Sequence, residues 1–151
     1  MSQLRVNGIA NTGGTTAASI DTNGVITEPN KPAFHAYPIT GQTSAGTGVF
    51  PLTLLNVNNC YSTSTYKFTA PIAGNYHFTC SALPQSSTAV SFFRFRKNNA
   101  DIGPSTFIIN ADQHVSQTMI LPLVAGDLVH VHFYANGFES GYTYFSGFLI
   151  G

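Results

Sequence analysis

The chain has 151 residues, with six basic and six acidic side chains, five histidines and a formal net charge of zero. Charged residues make up 8% of it, against about 25% in an average globular protein, which excludes an electrostatic nucleic-acid binder and a polybasic membrane binder. A hydrophobic fraction of 43% with 13% aromatics excludes a disordered chain, and a chain of this length buries roughly 70% of its unfolded surface in one core.

So little charge leaves much of the surface to be covered by partners. Cys60 and Cys80 are too few for a disulfide scaffold and lack zinc-site spacing, so both thiols are expected reduced, in a protein made in a cytoplasm. The start, MSQLRVNGIANTGG, lacks the apolar core of a signal peptide. No run approaches the about 18 apolar residues of a membrane span.

Residues 1–31 are rich in Gly, Thr, Ser, Asn and Ala and contain no aromatic residue. Leu4-Arg-Val6 and Ser19-Ile20 suit short strands; Asn11-Thr-Gly-Gly14 and Asp21-Thr-Asn-Gly24 are turn sequences. Such a segment cannot build its own core, so it is expected to be an extended arm that orders against a partner. Glu28-Pro-Asn-Lys-Pro32 forms a stiff boundary.

From Pro32 onward the pattern is β. Ala33 to Tyr37 alternates, with Phe34 and Ala36 opposing Ala33, His35 and Tyr37. A polar loop from Thr40 to Gly48 lacks the Gly-Lys-Ser/Thr of a phosphate loop. Val49 to Val57 is a second strand region, ended by Asn58-Asn59. Tyr66 to Leu83 is the stretch around which the chain is organised: strand, a turn punctuated by Pro71 and Gly74, then strand. Tyr76, Phe78, Cys80 and Ala82 point one way; Asn75, His77, Thr79 and Ser81 point the other. Val90 to Lys97 sets Ser91, Phe93 and Phe95 against Phe92, Arg94 and Arg96, and Asn98-Asn99 closes it as a hairpin turn. His114–Leu123, Leu128–Ala135 and Tyr142–Ile150 complete the strands. No segment has the length and caps of a helix. Eight to ten short strands with turns every 8–12 residues argue for an all-β sandwich or jelly roll. Tyr76, Phe78, Val129, Val131, Phe133, Phe145 and Leu149 are its expected core.

Pro32-Ala-Phe34, the hairpin Phe68-Thr-Ala-Pro71 with Gly74-Asn-Tyr-His-Phe78, Ala125-Gly-Asp127, and Phe145-Ser-Gly-Phe-Leu-Ile150 together resemble the globular head domain of complement component 1q. The resemblance runs along residues 32–151. It implies a ten-stranded jelly roll of the tumour-necrosis-factor type, a tight homotrimer, and a binding or structural module without enzymatic activity or cofactor. The absence of a collagen repeat and of a signal peptide speaks against a secreted animal protein. Residues 6–34 instead resemble leader segments of bacteriophage fibre and decoration proteins. The expected protein is therefore a phage virion component: a capsid decoration protein, a short head fibre or a tail-fibre knob. Its arm, residues 1–31, would dock on other virion proteins through Leu4, Val6, Ile9, Ile20, Val25 and Ile26. Its head, residues 32–151, would meet a host-surface glycan or protein. The alternative is a soluble lectin-like carbohydrate- or protein-binding module of a cell.

His130-Val-His132 puts two imidazoles on one strand face, as a metal site requires. The expected reading is instead a hydrogen-bonded interface. In the resembled fold the strands carrying His77 and His130 are expected to share the inner sheet, which packs at the threefold axis. The trimer interface is accordingly expected at His77, Thr79, His130, His132, Tyr134, Tyr144 and Phe148. Asp127 reads as a turn-capping carboxylate. Asp112-Gln-His114 pairs an acid with a base, yet no nucleophile accompanies them, and the carboxylates are too scattered for a glycosidase pair. Arg94, Arg96 and Lys97 read as a solvated basic edge. A ligand surface, where the head carries one, is expected at Arg94, Arg96, Phe138 and Tyr142, with exposed aromatics able to stack on sugars.

Overall fold

The computed structural model describes residues 6–84, 91–108, 113–134 and 137–151. The chain divides into two compact units, residues 1–31 and 32–151. Leu4 and Asp112 lie outside the described residues.

In the first unit, β1 (Gly8–Ala10), β2 (Thr16–Ile20) and β3 (Ile26–Thr27) form an antiparallel meander. The turn chemistry explains it. Asn11 Oδ1 accepts the Thr15 N–H at 2.9 Å, and Asp21 Oδ1 accepts the N–H groups of Asn23 and Val25 at 2.8 Å. Gly14 and Gly24 supply the positive φ that each turn needs. The first described strand begins at Gly8, two residues beyond the Leu4–Val6 strand that the sequence suggests.

The second unit is a jelly-roll sandwich of two antiparallel sheets. One sheet runs β12 (Val115–Leu123), β9 (Gly74–Ala82), β14 (Tyr144–Leu149), β4 (Ala33–Tyr37), β6 (Leu52–Asn56). The other runs β11 (Ala100–Ile108), β10 (Ser91–Lys97), β13 (Leu128–Phe133), β8 (Lys67–Thr69), β7 (Tyr61–Ser62), with β5 (Gly46–Thr47) also on β13. This makes eleven strands among the described residues, where the resemblance implies ten. The two-residue β5 lies in a stretch whose composition reads as loop. β11 escapes sequence reading because Gly103-Pro104 interrupts it. Both are tolerated on an edge strand, where Pro spoils no ladder and Gly103 takes a positive φ beside a register shift.

The seven expected core residues are all buried between the sheets. The core is largely phenylalanine. Phe78 has ring neighbours on both sheets: Phe68 at 5.1 Å, Phe145 at 6.0 Å and Phe95 at 6.4 Å between centroids. Gly147 makes this possible, because a Cβ there would fall 2.5 Å from Phe78 Cδ1 and 2.9 Å from the His77 carbonyl. Both cysteines are buried and unbridged, and burial pushes the Cys60 thiol up to about 11.

Two hairpin ends are locked together by Asp127. Asn98 and Asn99 take the positive φ of a tight hairpin turn. Asp127 then accepts Asn98 Nδ2 at 2.8 Å and the Val124 N–H at 2.9 Å, and pairs with Lys97 Nζ at 2.8 Å. The turn-capping role expected for Asp127 is therefore what its contacts show.

One expectation about the sheets is corrected. β9, which carries His77, and β13, which carries His130 and His132, lie in different sheets. Strand parity places all three histidines off the core, but parity is blind to strand membership. β13 pairs with β10, β8 and β5, whereas β9 pairs with β12 and β14.

Candidate functional site

The head offers two opposite sheet faces. On the five-stranded sheet, register aligns Ile120, His77, Phe148 and Ala33 across four strands. The next row aligns Thr118, Thr79, Ser146, His35 and Leu55. His77 lies against Phe148 at 5.0 Å, and His35 stacks on Tyr144 at 5.1 Å. Thr79 and Thr118 hydroxyls are 3.2 Å apart. Around them Ile120 is 60% exposed and Phe148 46%, while Leu55 and Leu54 on the edge strand are 47% and 75% exposed. A sheet face this apolar is what a soluble monomer seldom shows to water. Desolvation lowers the pKa of His35, which disfavours its charged form.

His77, Thr79, Tyr144 and Phe148, four of the residues expected at an interface, therefore share this face. His35, Ile120 and Leu55 belong with them and were missed. The alternation signal marks His35 and Ile120 as off the core, but only strand pairing shows that they are neighbours.

At the end of the same face, Ser81 Oγ lies 2.7 Å from Ser116 Oγ and 3.2 Å from His114 Nδ1. His114 Nε2 is 2.6 Å from the Tyr142 carbonyl. Ser81 is fully buried and Ser116 exposed, and the cluster ties β9 to β12.

His130, His132 and Tyr134 are on the outward face of the six-stranded sheet, together with Arg94 and Arg96. Register sets Arg96 opposite His130, Arg94 opposite His132, and Asp101 opposite Arg96. Asp101 pairs with Arg94 and Arg96, each at 3.0 Å, and accepts the Tyr134 hydroxyl. The Tyr134 hydrogen bond, with the two guanidiniums, holds the Asp101 carboxyl below its ordinary range. Phe92 stacks flat on Tyr134 at 4.8 Å, and Arg94 lies 6.0 and 5.7 Å from the two ring centroids. Lys67 on β8 completes the face, its Nζ donating to Asn99 Oδ1 at 2.8 Å. Alternation along one strand already sets Phe92 beside Arg94 and Arg96, whereas Asp101 and Lys67 were not singled out in the sequence, because they come to this face from β11 and β8.

His130 is 1% exposed although it points away from the core. Burial, then the charges of Lys67 and Arg96, push it down to about 4. Burial and Arg96 lower His132 as well. The consequence for stability has a definite sign. The unfolded chain takes up the His130 proton first, so the stabilisation is complete above about 6.5 and falls as pH drops toward about 4. Asp127, held from 3.8 down to about 2 chiefly by Lys97, then Asn98, adds a further loss below 3.8. His130→Gln is expected to flatten the melting temperature between the two histidine values and to leave the more acidic loss in place. An unchanged slope in that window would contradict the assignment.

Two expected ligand residues separate. Phe138 is fully buried, stacked on Phe50 at 5.3 Å, because bridges to Gln42 and Pro84 pull its segment inward. It forms no part of a surface. Tyr142 is 64% exposed in a short turn, away from the arginines in the sheet order. In the first unit Val6, Ile9, Val25 and Ile26 are exposed and Ile20 is half-buried.

No helix among the described residues is long and apolar enough to cross a membrane. Among those residues no group of three or more metal-ligating side chains occurs.

Comparison with known proteins gives the same architecture. A family profile for the C1q domain matches residues 33–150. The globular domain of zebrafish complement 1qA is 26% identical, superposes with a TM-score of 0.67, and covers 80% of this chain and 98% of its own. Murine APRIL, solved at pH 8.5, shares the fold at 13% identity, with a TM-score of 0.62, 78% of this chain covered and 98% of its own. The chain belongs to the C1q domain family, whose jelly rolls are binding modules that form homotrimers.

Proposed function

We propose that this protein is a homotrimeric binding head of a phage particle, docked through residues 1–31. The observation that carries the trimer is the five-stranded sheet's apolar outer face, with exposed Ile120, Phe148 and Leu55 spread across it from β12 through β14 to β6. Three copies packed on that face would remove it from water, at about 25 cal/mol per Å² of apolar surface. His77, Thr79 and Tyr144 would be buried with it. His130, His132 and Tyr134, on the opposite sheet, would stay outside that contact, with His132 and Tyr134 half-buried and His130 buried.

The virion reading is supported by the leader-like composition of the first unit and by its exposed Val6, Ile9, Val25 and Ile26. None of the described residues of this three-stranded meander is buried, so it has little core of its own, and docking would give its exposed apolar side chains a partner. Removing residues 1–31 tests it. The shortened protein is expected to remain trimeric and to lose binding to purified particles that lack it. Retained particle binding would contradict the docking role. A full-length protein that never binds particles, yet binds saccharide, would favour a lectin-like module of a cell.

A further inference from the structure

The charges of the head are divided unevenly between its two sheets. Lys67, Arg94, Arg96, Lys97 and Asp101 all lie on strands of the six-stranded sheet. The five strands of the other sheet contain no Asp, Glu, Lys or Arg. Their groups that ionise near neutral pH are His35 on β4 and His77 on β9. Both imidazoles are half-buried on the outer face, where the apolar side chains assigned to trimer contact also lie.

His77 and His35 sit on either side of β14, His77 opposite Phe148 and His35 opposite Ser146. Each packs on an aromatic ring, Phe148 for His77 and Tyr144 for His35. What the flanking strands add is uncharged: β12 sets Ile120 opposite His77, and β6 sets Leu55 opposite His35. The other titratable groups on this face are Tyr37 and Tyr144, neutral at acid pH, and His114 at its end, held by Ser81 and the Tyr142 carbonyl. Lys97 reaches the Pro122 carbonyl at the end of β12, but is paired with Asp127.

A neutral imidazole tolerates these surroundings. An imidazolium finds no carboxylate there, and in a separate subunit only water solvates it. Packing three copies on the face removes that water, and each copy brings the same charge-free strands. Burial in the contact disfavours the charged form, so the imidazole pKa values in the assembly fall below the ordinary value of about 6.5. Desolvation already acts in this direction on His35 in the single head. Separated subunits therefore take up the protons first. The contact is at full strength above about 6.5 and weakens as pH falls below it.

We propose that the subunit contact on the five-stranded sheet is an acid-labile latch, closed by neutral His35 and His77 and opened by their protonation while each head stays folded. This rests on the reading of the head as a trimer packed on that face, and adds a regulation to it. It is separate from the acid sensitivity of His130, which belongs to the other sheet and to the fold of a single head.

Sedimentation equilibrium of the full chain at about pH 7.5 and about pH 5.5 tests it, with circular dichroism reporting the fold. The parent is expected to be trimeric at the higher pH and to separate into folded subunits at the lower. The dissociation constant should rise about a hundredfold per chain, roughly tenfold for each imidazole over one pH unit below its ordinary value. The double variant His35→Gln with His77→Gln should stay trimeric at both, and His130→Gln should separate as the parent does. A parent that remains trimeric at the lower pH overturns the latch and leaves the trimer standing. A monomer at the higher pH overturns the trimer reading, and the latch with it. Separation that persists in the double variant, or that His130→Gln abolishes, overturns the assignment to these two histidines. Loss of the fold together with the trimer overturns it too, since the opening would then be unfolding. Should the double variant fail to assemble at the higher pH, the titrations of His35 and His77 in the parent trimer, followed by NMR, decide. Midpoints below the ordinary value support the latch, and ordinary midpoints overturn it.

Discussion

Phe78→Ala is expected to destabilise the head by about 3–5 kcal/mol, the sum of lost transfer energy and an unfilled cavity. Phe78 is fully buried in a ring cluster drawn from both sheets, with Phe34 and Phe145 from its own sheet and Phe68 and Phe95 from the other. Collapse around the gap is hindered, because its neighbours are aromatic rings anchored in separate strands. Against a typical total stability of about 5–15 kcal/mol, such a loss removes a large fraction. Thermal or urea unfolding measures it. A change below about 1 kcal/mol would show that the cluster is not the keystone of the sandwich.

Ile120→Glu and Phe148→Glu are expected to separate the subunits. Both residues lie on the outer face of the five-stranded sheet, one position either side of His77. In a trimer packed on that face, each change would place three carboxylates in an apolar interface without a partner. Burying an unpaired charge costs several kcal/mol, so dissociation constants should rise about a hundredfold or more. The folded subunit should survive, since neither side chain contributes to the core between the sheets. Sedimentation of each variant reads the outcome. Variants that sediment like the parent would move the interface elsewhere.

The inside of the head is legible in the sequence because β strands encode burial with a period of two. Tyr76, Phe78, Val129, Val131 and Phe133 could be assigned to the core without knowledge of any partner strand. The outside is harder to read. The same alternation shows that His77, His130 and His132 avoid the core, yet it says nothing of which sheet each joins. That depends on long-range pairing, which places β13 beside β10 and β9 beside β12 and β14. The arginine–histidine face was half visible, since Arg94 and Arg96 form a local basic cluster. Its completion by Lys67, Asp101 and Tyr134 is a property of four strands and appears only with the register. Phe138 shows the opposite failure. Its segment carries loop-like residues, so it reads as exposed, whereas bridges to Gln42 and Pro84 draw the ring fully into the core.

Native mass spectrometry of the full chain at micromolar concentration tests the central claim most directly. The account predicts a particle of three chains, each of 16.1 kDa. A clean monomer under the same conditions would leave Ile120, Phe148 and the β6 leucines exposed to water and would contradict the trimeric head.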